Sequence, residues 1–442
     1  MISSLSPGRL KNRPRLELYY DAAFLVSLLC CSLVGAFPQY SLLLSCGMVL
    51  CFGTSLFSDN FFLYAALFLF MRNKMVIGDT TAYRFYSYLL VLKCVWELPR
   101  LKIRVAYLPV LFVLAMHCVF AAGRYNLRMG LNVIVDVVLV YLILARVEQD
   151  DALTRRLLTA FLLGMVLSGI YGFTASDAFK DIHITGAGSE TVSRNFGALG
   201  DANYAGFFYD AAVLTALMVK GIPRWLRVFF VGLGLVLVVR TASLSALASL
   251  GLALCFLLIL KMRRRAVPVL LCAGLAGAAG IALVMYVPFL GNLPGIHGLV
   301  LRLTEKLYYI RLGRWDMLTT DRAVLWAAAW SLFVSKGLAG RLLGGSVITY
   351  MIQETTLLSS YMACHQSYLQ ALLNFGMLGT VGIYGPLLLL FLYRLANHFL
   401  RPAGYGREDI KIMQLVYAFL FFVFGFTIDF FIDWTFLFFC FF

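Results

Sequence analysis

The sequence predicts an all-α polytopic integral membrane protein, and three observations predict it. Apolar residues, aromatics included, make up 62% of the chain and charged residues only 13%. Apolar runs of about 17–25 residues recur from end to end, the length a helix needs to cross the hydrocarbon of a bilayer. Lys and Arg gather mostly in alternate gaps between those runs. A soluble chain of 442 residues needs more polar surface than this to cover itself. Lipid leaves a bare backbone unsatisfied, so the runs are helices, and the alternating pattern of an outer-membrane barrel is absent.

The basic N-terminus (Arg9, Lys11, Arg13, Arg15) leads into a first apolar run at 20–37. No small-residue cleavage site follows it, so residues 1–19 are expected as a cytoplasmic tail and 20–37 as a retained span. Further spans are expected at 41–57, 60–71 (short enough to be re-entrant), 82–98, 105–122, 129–145, 157–175, 203–219, 225–240, 242–260, 266–288, 366–393 and 412–434. The total is roughly 12–14 transmembrane helices. Residues 20–288 then form a transmembrane bundle, 289–365 a long extracytoplasmic loop carrying amphipathic helices, and 366–442 the C-terminal spans.

With the N-terminus inside, the inner gaps carry Arg100, Lys102 and Arg104, Arg155 and Arg156, Lys220 and Arg224, Lys261 to Arg265, and Arg394 to Lys411. That is the asymmetry cytoplasmic loops show, so the net charge of +15 reflects orientation and not nucleic-acid binding. Eight of the ten cysteines lie in or at the edges of apolar runs, with no C-x-x-C pair, and read as apolar fillers. No Asp-x-Asp pair occurs in the outer segments; neither metal nor cofactor is expected.

Two outer segments are long, 176–202 and 289–365, and long loops are uncommon unless they have a role. The second sets Arg302, Lys306, Arg311, Arg314, Arg322, Lys336 and Arg341 against Glu305, Asp316, Asp321 and Glu354. A basic outer surface suits an anionic ligand, and equally a face turned to lipid headgroups. His365 stands where the chain re-enters the membrane beside that loop. Its imidazole could take a proton from a hydroxyl near neutral pH, or merely cap the helix. Arg322, Trp326 and Trp330, spaced i, i+4, i+8, share one face of an interfacial helix. A guanidinium there fits a phosphate of a substrate or of a lipid. Arg194 and Arg240 reach the same side at the edges of two other apolar runs, where an unpaired cation is costly. Asp136 and Asp210 fall in expected spans and either pair with buried polar groups or relay ions.

The pattern Arg322-x-x-x-Trp326, then Gly337 to Gly345, then Cys364-His365-Gln366-Ser367-Tyr368-Leu369-Gln370 and Gly376-x-x-Gly379 resembles the O-antigen ligase and polymerase superfamily. Asp201-Ala202-Asn203-Tyr204-Ala205 is similar to that family's Asp-Pro-Asn-like helix start. The detailed likeness covers residues 320–380, and the hydropathy profile is similar over most of the chain. Gln366 departs from the usual Asn, Cys364 from Ala, Thr320-Asp321 from Ser-Gly, and Ser335-Lys336 from the proline that precedes the glycine turn.

The resemblance implies a C-type, all-helical glycosyltransferase on the outer face of the bacterial cytoplasmic membrane. It would invert configuration without a metal. It implies an undecaprenyl-diphosphate-linked glycan as donor and a glycan or lipid-linked acceptor, with membrane lipids around it. His365 and Arg322 would be catalytic, and Arg194, Arg240, Trp326, Arg341, Asn203 and Tyr368 would hold diphosphate or glycan. A polysaccharide polymerase is slightly favoured over a ligase, and a transporter for lipid-linked oligosaccharides is the alternative of another class.

Overall fold

The computed structural model describes residues 13–55, 151–175, 178–184, 190–262, 265–293, 295–314, 322–344, 364–400 and 408–427, with a few isolated positions at 57–135 and 317–318. The spans expected at 60–71, 82–98, 105–122 and 129–145 lie almost wholly outside the described residues. Two helices open the chain, α1 (Arg13–Ala36) and α2 (Ser41–Ser55). α3 (Asp151–Thr174) follows, then α4 (Ala202–Met218), α5 (Arg224–Arg240), α6 (Leu244–Met262) and α7 (Ala266–Tyr286). The long loop supplies α8 (Pro288–Gly291), α9 (Ile296–Arg311), α10 (Arg322–Ser335) and α11 (Leu338–Leu343). α12 (Ser367–Leu400) and α13 (Glu408–Phe424) complete the set. Among the described residues four helices are long and apolar enough to cross a membrane: Thr154–Thr174, Leu244–Met262, Ala266–Tyr286 and Ser367–Leu400. α7 exposes Val267, Leu271, Leu275, Ile281 and Leu283, a surface that water penalises and lipid does not.

The helices accommodate polar side chains by local bonds. The hydroxyls of Thr159, Thr174 and Thr215 each donate to the carbonyl four residues back, so these three are not left bare in apolar surroundings. α4 is the central helix, packed against α3, α5, α6 and α13 and buried along nearly its whole length. Gly206 permits this. A Cβ there would overlap the Ala246 Cβ, so α4 and α6 approach only because glycine faces alanine. Tyr209 shares a hydrogen bond with Ser168 of α3 at 2.9 Å, and Phe207 meets Phe424 of α13 edge-on at 5.2 Å.

The ends of the bundle are distinct. Lys220 pairs with Asp409, and His398 Nε2 lies 3.0 Å from Leu260 O, which gathers the segments after α4, α6 and α12 at one end. The α5–α6 corner, the start of α4, the start of α12 and the end of α13 gather at the other, as alternation of the helices requires.

The expectation of helices alone is corrected in two places. Val76–Ile77 (β1) pairs with Thr80–Thr81 (β2). In the outer segment 176–202, Phe179–Ile184 (β3) pairs antiparallel with Glu190–Asn195 (β4). The physical reason is a short alternation: Ile182 and Val192 are cross-strand partners on one face and close a small apolar cluster with Ala242, Leu299 and Leu301.

α12 is bent. Gly376 takes φ 67° and ψ −172°, outside the helical region, and breaks the helix within its second half-dozen residues. A bend of this kind frees carbonyls of the preceding turn. Lys336, at the end of α10, donates Nζ to one of them, Leu373 O, at 2.7 Å.

Candidate functional site

The α5–α6 corner is the floor of the site. Thr241, Ala242 and Ser243 reverse the chain between the two helices, with Ala242 at a positive φ of 47°. Two of the corner's carbonyls accept from arginines brought in by other elements. Arg194 of β4 donates Nε to Thr241 O at 3.0 Å and Nη2 to Asn203 Oδ1 at 3.0 Å. Arg302 of α9 donates Nη1 to Ala242 O at 2.5 Å. Ser243 Oγ donates to the same Asn203 oxygen at 2.8 Å, which ties the start of α4 to the corner.

Strand register places these groups. Lys180 and Arg194 are direct cross-strand partners, on the face that also carries Ile182 and Val192. That face presses on α9 at Gly298, where a Cβ would stand 2.9 Å from Val192 Cγ1. Arg302 is one helical turn further along the same face of α9 and so reaches the corner.

The other half of the site comes from α10, α12 and α13. Arg322, the first residue of α10, donates Nη1 to Thr427 O at 2.8 Å, just past the end of α13. Ser367 N donates to Gly425 O at 2.8 Å and joins the start of α12 to the same turn. Gln366 caps α12, its Oε1 accepting from Leu369 N at 2.5 Å. His365 precedes that cap in the left-handed region, φ 52°, which a residue with a Cβ adopts only under constraint.

Electrostatics join the two halves. Burial, then the charge of Arg302, lowers the Arg194 pKa to about 10, with Asp201 opposing and Arg322 adding to the fall. Burial lowers Arg302 as well, against Glu305 one turn away, with Arg322 contributing. Burial also lowers Arg322, and Asp201 opposes it. All three stay protonated at neutral pH. Burial depresses the His365 imidazole below its ordinary 6.5; Arg322 and Lys180 push the same way and Asp201 resists. The imidazole is therefore neutral at pH 7 and competent to accept a proton. Among the described residues none of the three arginines makes an ion pair. Each is held by a neutral carbonyl, and Asp201 and Glu305 offset its charge only in part, without direct pairing.

Of the residues expected from sequence, Arg194, Asn203, Arg322 and His365 come together here. Trp326 lies next to them, but its indole Nε1 donates to Cys364 O at 3.1 Å. Arg240 turns elsewhere: its guanidinium lies 4.2 Å from the Phe173 ring centroid and 5.6 Å from that of Phe179. Tyr368 donates its hydroxyl to Phe422 O at 2.7 Å and packs on Tyr384 and Phe426, in the α12–α13 contact. Arg341 is exposed and donates Nε to Lys336 O at 2.8 Å. Asp210 is fully buried in α4 and neither carboxyl oxygen has a hydrogen-bond partner among the described residues.

The sequence marked Arg302 only as one of the loop's cations and Asp201 only as part of a helix-start motif, and nothing in it set Lys180 apart. The i, i+4 spacing of Gly298 and Arg302 on one helix face was the available signal. Asp201 caps α4, accepting from Asn203 N at 2.8 Å and Tyr204 N at 3.1 Å, which fixes its carboxylate beside the cluster. Among the described residues no three His, Cys, Asp or Glu side chains are grouped so as to hold a metal ion. Comparison with protein-family models, curated proteins and solved structures finds no match.

Proposed function

We propose that this protein is an inverting glycosyltransferase of the C-type membrane architecture, with roughly 12–14 spans. It moves a glycan from an undecaprenyl-diphosphate carrier to a sugar hydroxyl at the outer face of the bacterial cytoplasmic membrane. The observation that carries the proposal is the cluster of Arg194, Arg302 and Arg322, each tethered by a backbone carbonyl and none neutralised by an ion pair among the described residues. Like charges held this close repel, and an arriving anion relieves that repulsion. Guanidinium forks from three separate elements suit a group with several oxygens, such as a diphosphate. The apolar helices beneath suit its polyprenyl tail.

In the proposed step His365 takes the proton of the acceptor hydroxyl. The acceptor oxygen forms a bond to the anomeric carbon as the bond from that carbon to the diphosphate oxygen breaks. The electron pair leaves with the diphosphate, and the arginines stabilise the charge it gains. Attack opposite to the leaving group inverts the anomeric centre. Arg322, which lies near enough to lower the His365 pKa, spans both tasks. A polymerase, whose acceptor is another lipid-linked repeat, is favoured slightly over a ligase.

The test is turnover of an undecaprenyl-diphosphate-linked oligosaccharide by purified wild type and His365→Ala. Longer glycans, or glycan on a second carrier, should appear with free undecaprenyl diphosphate, and the variant should lose about 10²-fold or more. The product's carrier separates polymerase from ligase. Donor binding without turnover by the wild type would instead support a transporter of lipid-linked oligosaccharides.

A further inference from the structure

His365 is held from outside its own segment. The peptide joining Cys364 to His365 is fixed at its carbonyl by the Trp326 indole N–H, at 3.1 Å. The peptide before it is fixed at Cys364 N, which donates to Gln370 Oε1 at 3.2 Å. Gln370 is fully buried, and its amide nitrogen donates to Asn374 Oδ1 at 3.2 Å, so its orientation is set from below. The Cys364 thiol, also buried, lies against Gln366 O at 3.3 Å. On the far side, Ser367 N is anchored to Gly425 O. Of the two residues between these anchors, His365 has the left-handed backbone and Gln366 caps the helix.

From this geometry we propose that Trp326 and Gln370 are positioning residues: gripping the Cys364 peptides from α10 and α12, they hold His365 in its left-handed conformation and aim the imidazole at the arginine cluster. A left-handed residue with a Cβ is disfavoured locally, so it persists only while its neighbours over-determine it. Released, the segment relaxes to an ordinary conformation and swings the His365 Cβ away from Arg322. Trp326 thus acts on chemistry through hydrogen bonding to the backbone, and not by stacking on a sugar. The inference rests on His365 being the proton acceptor proposed above.

Trp326→Phe keeps an aromatic ring and removes only the donor. With the undecaprenyl-diphosphate-linked oligosaccharide as substrate, kcat should fall about tenfold while KM for the donor stays within about twofold. The acid limb of the pH–kcat profile should also move up towards 6.5, the ordinary value. The imidazole would leave the half-buried place where Arg322 of α10 and Lys180 of β3 depress it, against Asp201 at the start of α4. Gln370→Met severs the other arm at similar side-chain length and carries the same expectation, should the first variant fold poorly. An unchanged kcat and acid limb in a folded variant, beside an inactive His365→Ala, would overturn the proposal. So would a fall in kcat with an unmoved limb, which marks a merely structural role. A fully active His365→Ala would instead overturn the assignment of the base.

Discussion

Gly344 and Gly376 touch backbone to backbone. A Cβ on Gly344 would lie 2.5 Å from Phe375 C, and one on Gly376 would lie 2.5 Å from Leu342 C and O. Both residues have positive φ, 84° and 67°. The glycine turn after α11 and the bend in α12 are therefore one contact, in which the end of the outer helical segment seats against the opened helix. That seating keeps α10, with Arg322 and Trp326, beside His365.

Replacing either glycine with alanine should destabilise the protein by about 2 kcal/mol or more, because backbone must shift and a left-handed residue gains a Cβ. The double variant should cost clearly less than the sum, since one displacement relieves both clashes. Thermal melting in detergent measures this, and strict additivity would contradict a shared contact.

Lys336 holds the same bend from α10. Lys336→Met keeps the apolar stem and leaves Leu373 O without its donor. Losing a partner for a buried carbonyl costs about 1–3 kcal/mol. The expected outcome is a lower melting temperature with the donor affinity of the surviving fold little changed.

Arg302 tests the proposed anion site. Arg302→Gln retains a donor for Ala242 O but removes the charge. Affinity for undecaprenyl diphosphate should fall about tenfold or more, the scale of one charge-assisted contact. Its salt dependence should weaken too. Binding unchanged in a direct assay would remove Arg302 from the site.

The pH dependence has a defined sign. Burial and neighbouring cations keep the folded pKa of His365 below 6.5, so the unfolded chain takes up its proton first as pH falls. This group's contribution to stability is therefore present above about pH 6.5 and is lost as pH falls from there through the lowered folded pKa. Activity should hold at neutral pH and decline on the acid side of 6.5. Asp201→Ala removes the charge that resists the shift, and the acid limb should move to lower pH still. The lost cap on α4 costs about 1 kcal/mol besides. A limb that moves upward in Asp201→Ala would contradict the arrangement.

Much was legible in the chain because apolar length reads directly as a membrane-crossing helix. α3 to α7, α12 and α13 stand where the hydropathy placed spans, and His365 and Arg322 stood out as polar groups at an apolar edge. The β3–β4 hairpin was missed because its apolar pair is only Ile182 and Val192, too brief a pattern to register as strands. Arg240 illustrates the opposite error. By position it belonged with the other outer arginines, yet the side chain turns to Phe173 and Phe179. Position along a helix sets depth in the membrane, and rotation about the helix axis sets which neighbour is met.

The sequence by itself determined the helical, membrane-suited character of the protein, because burial of apolar runs is a local property. Only the tertiary structure decided which cations form a cluster. Arg194 and Arg302 meet through carbonyls of a corner far from both in sequence, and Arg322 through Thr427, 105 residues away. The same holds for the left-handed His365, whose backbone is shaped by an indole from another helix. Such contacts depend on strand register, on glycines that let backbones touch and on a bend in α12, and a linear pattern carries none of these distances.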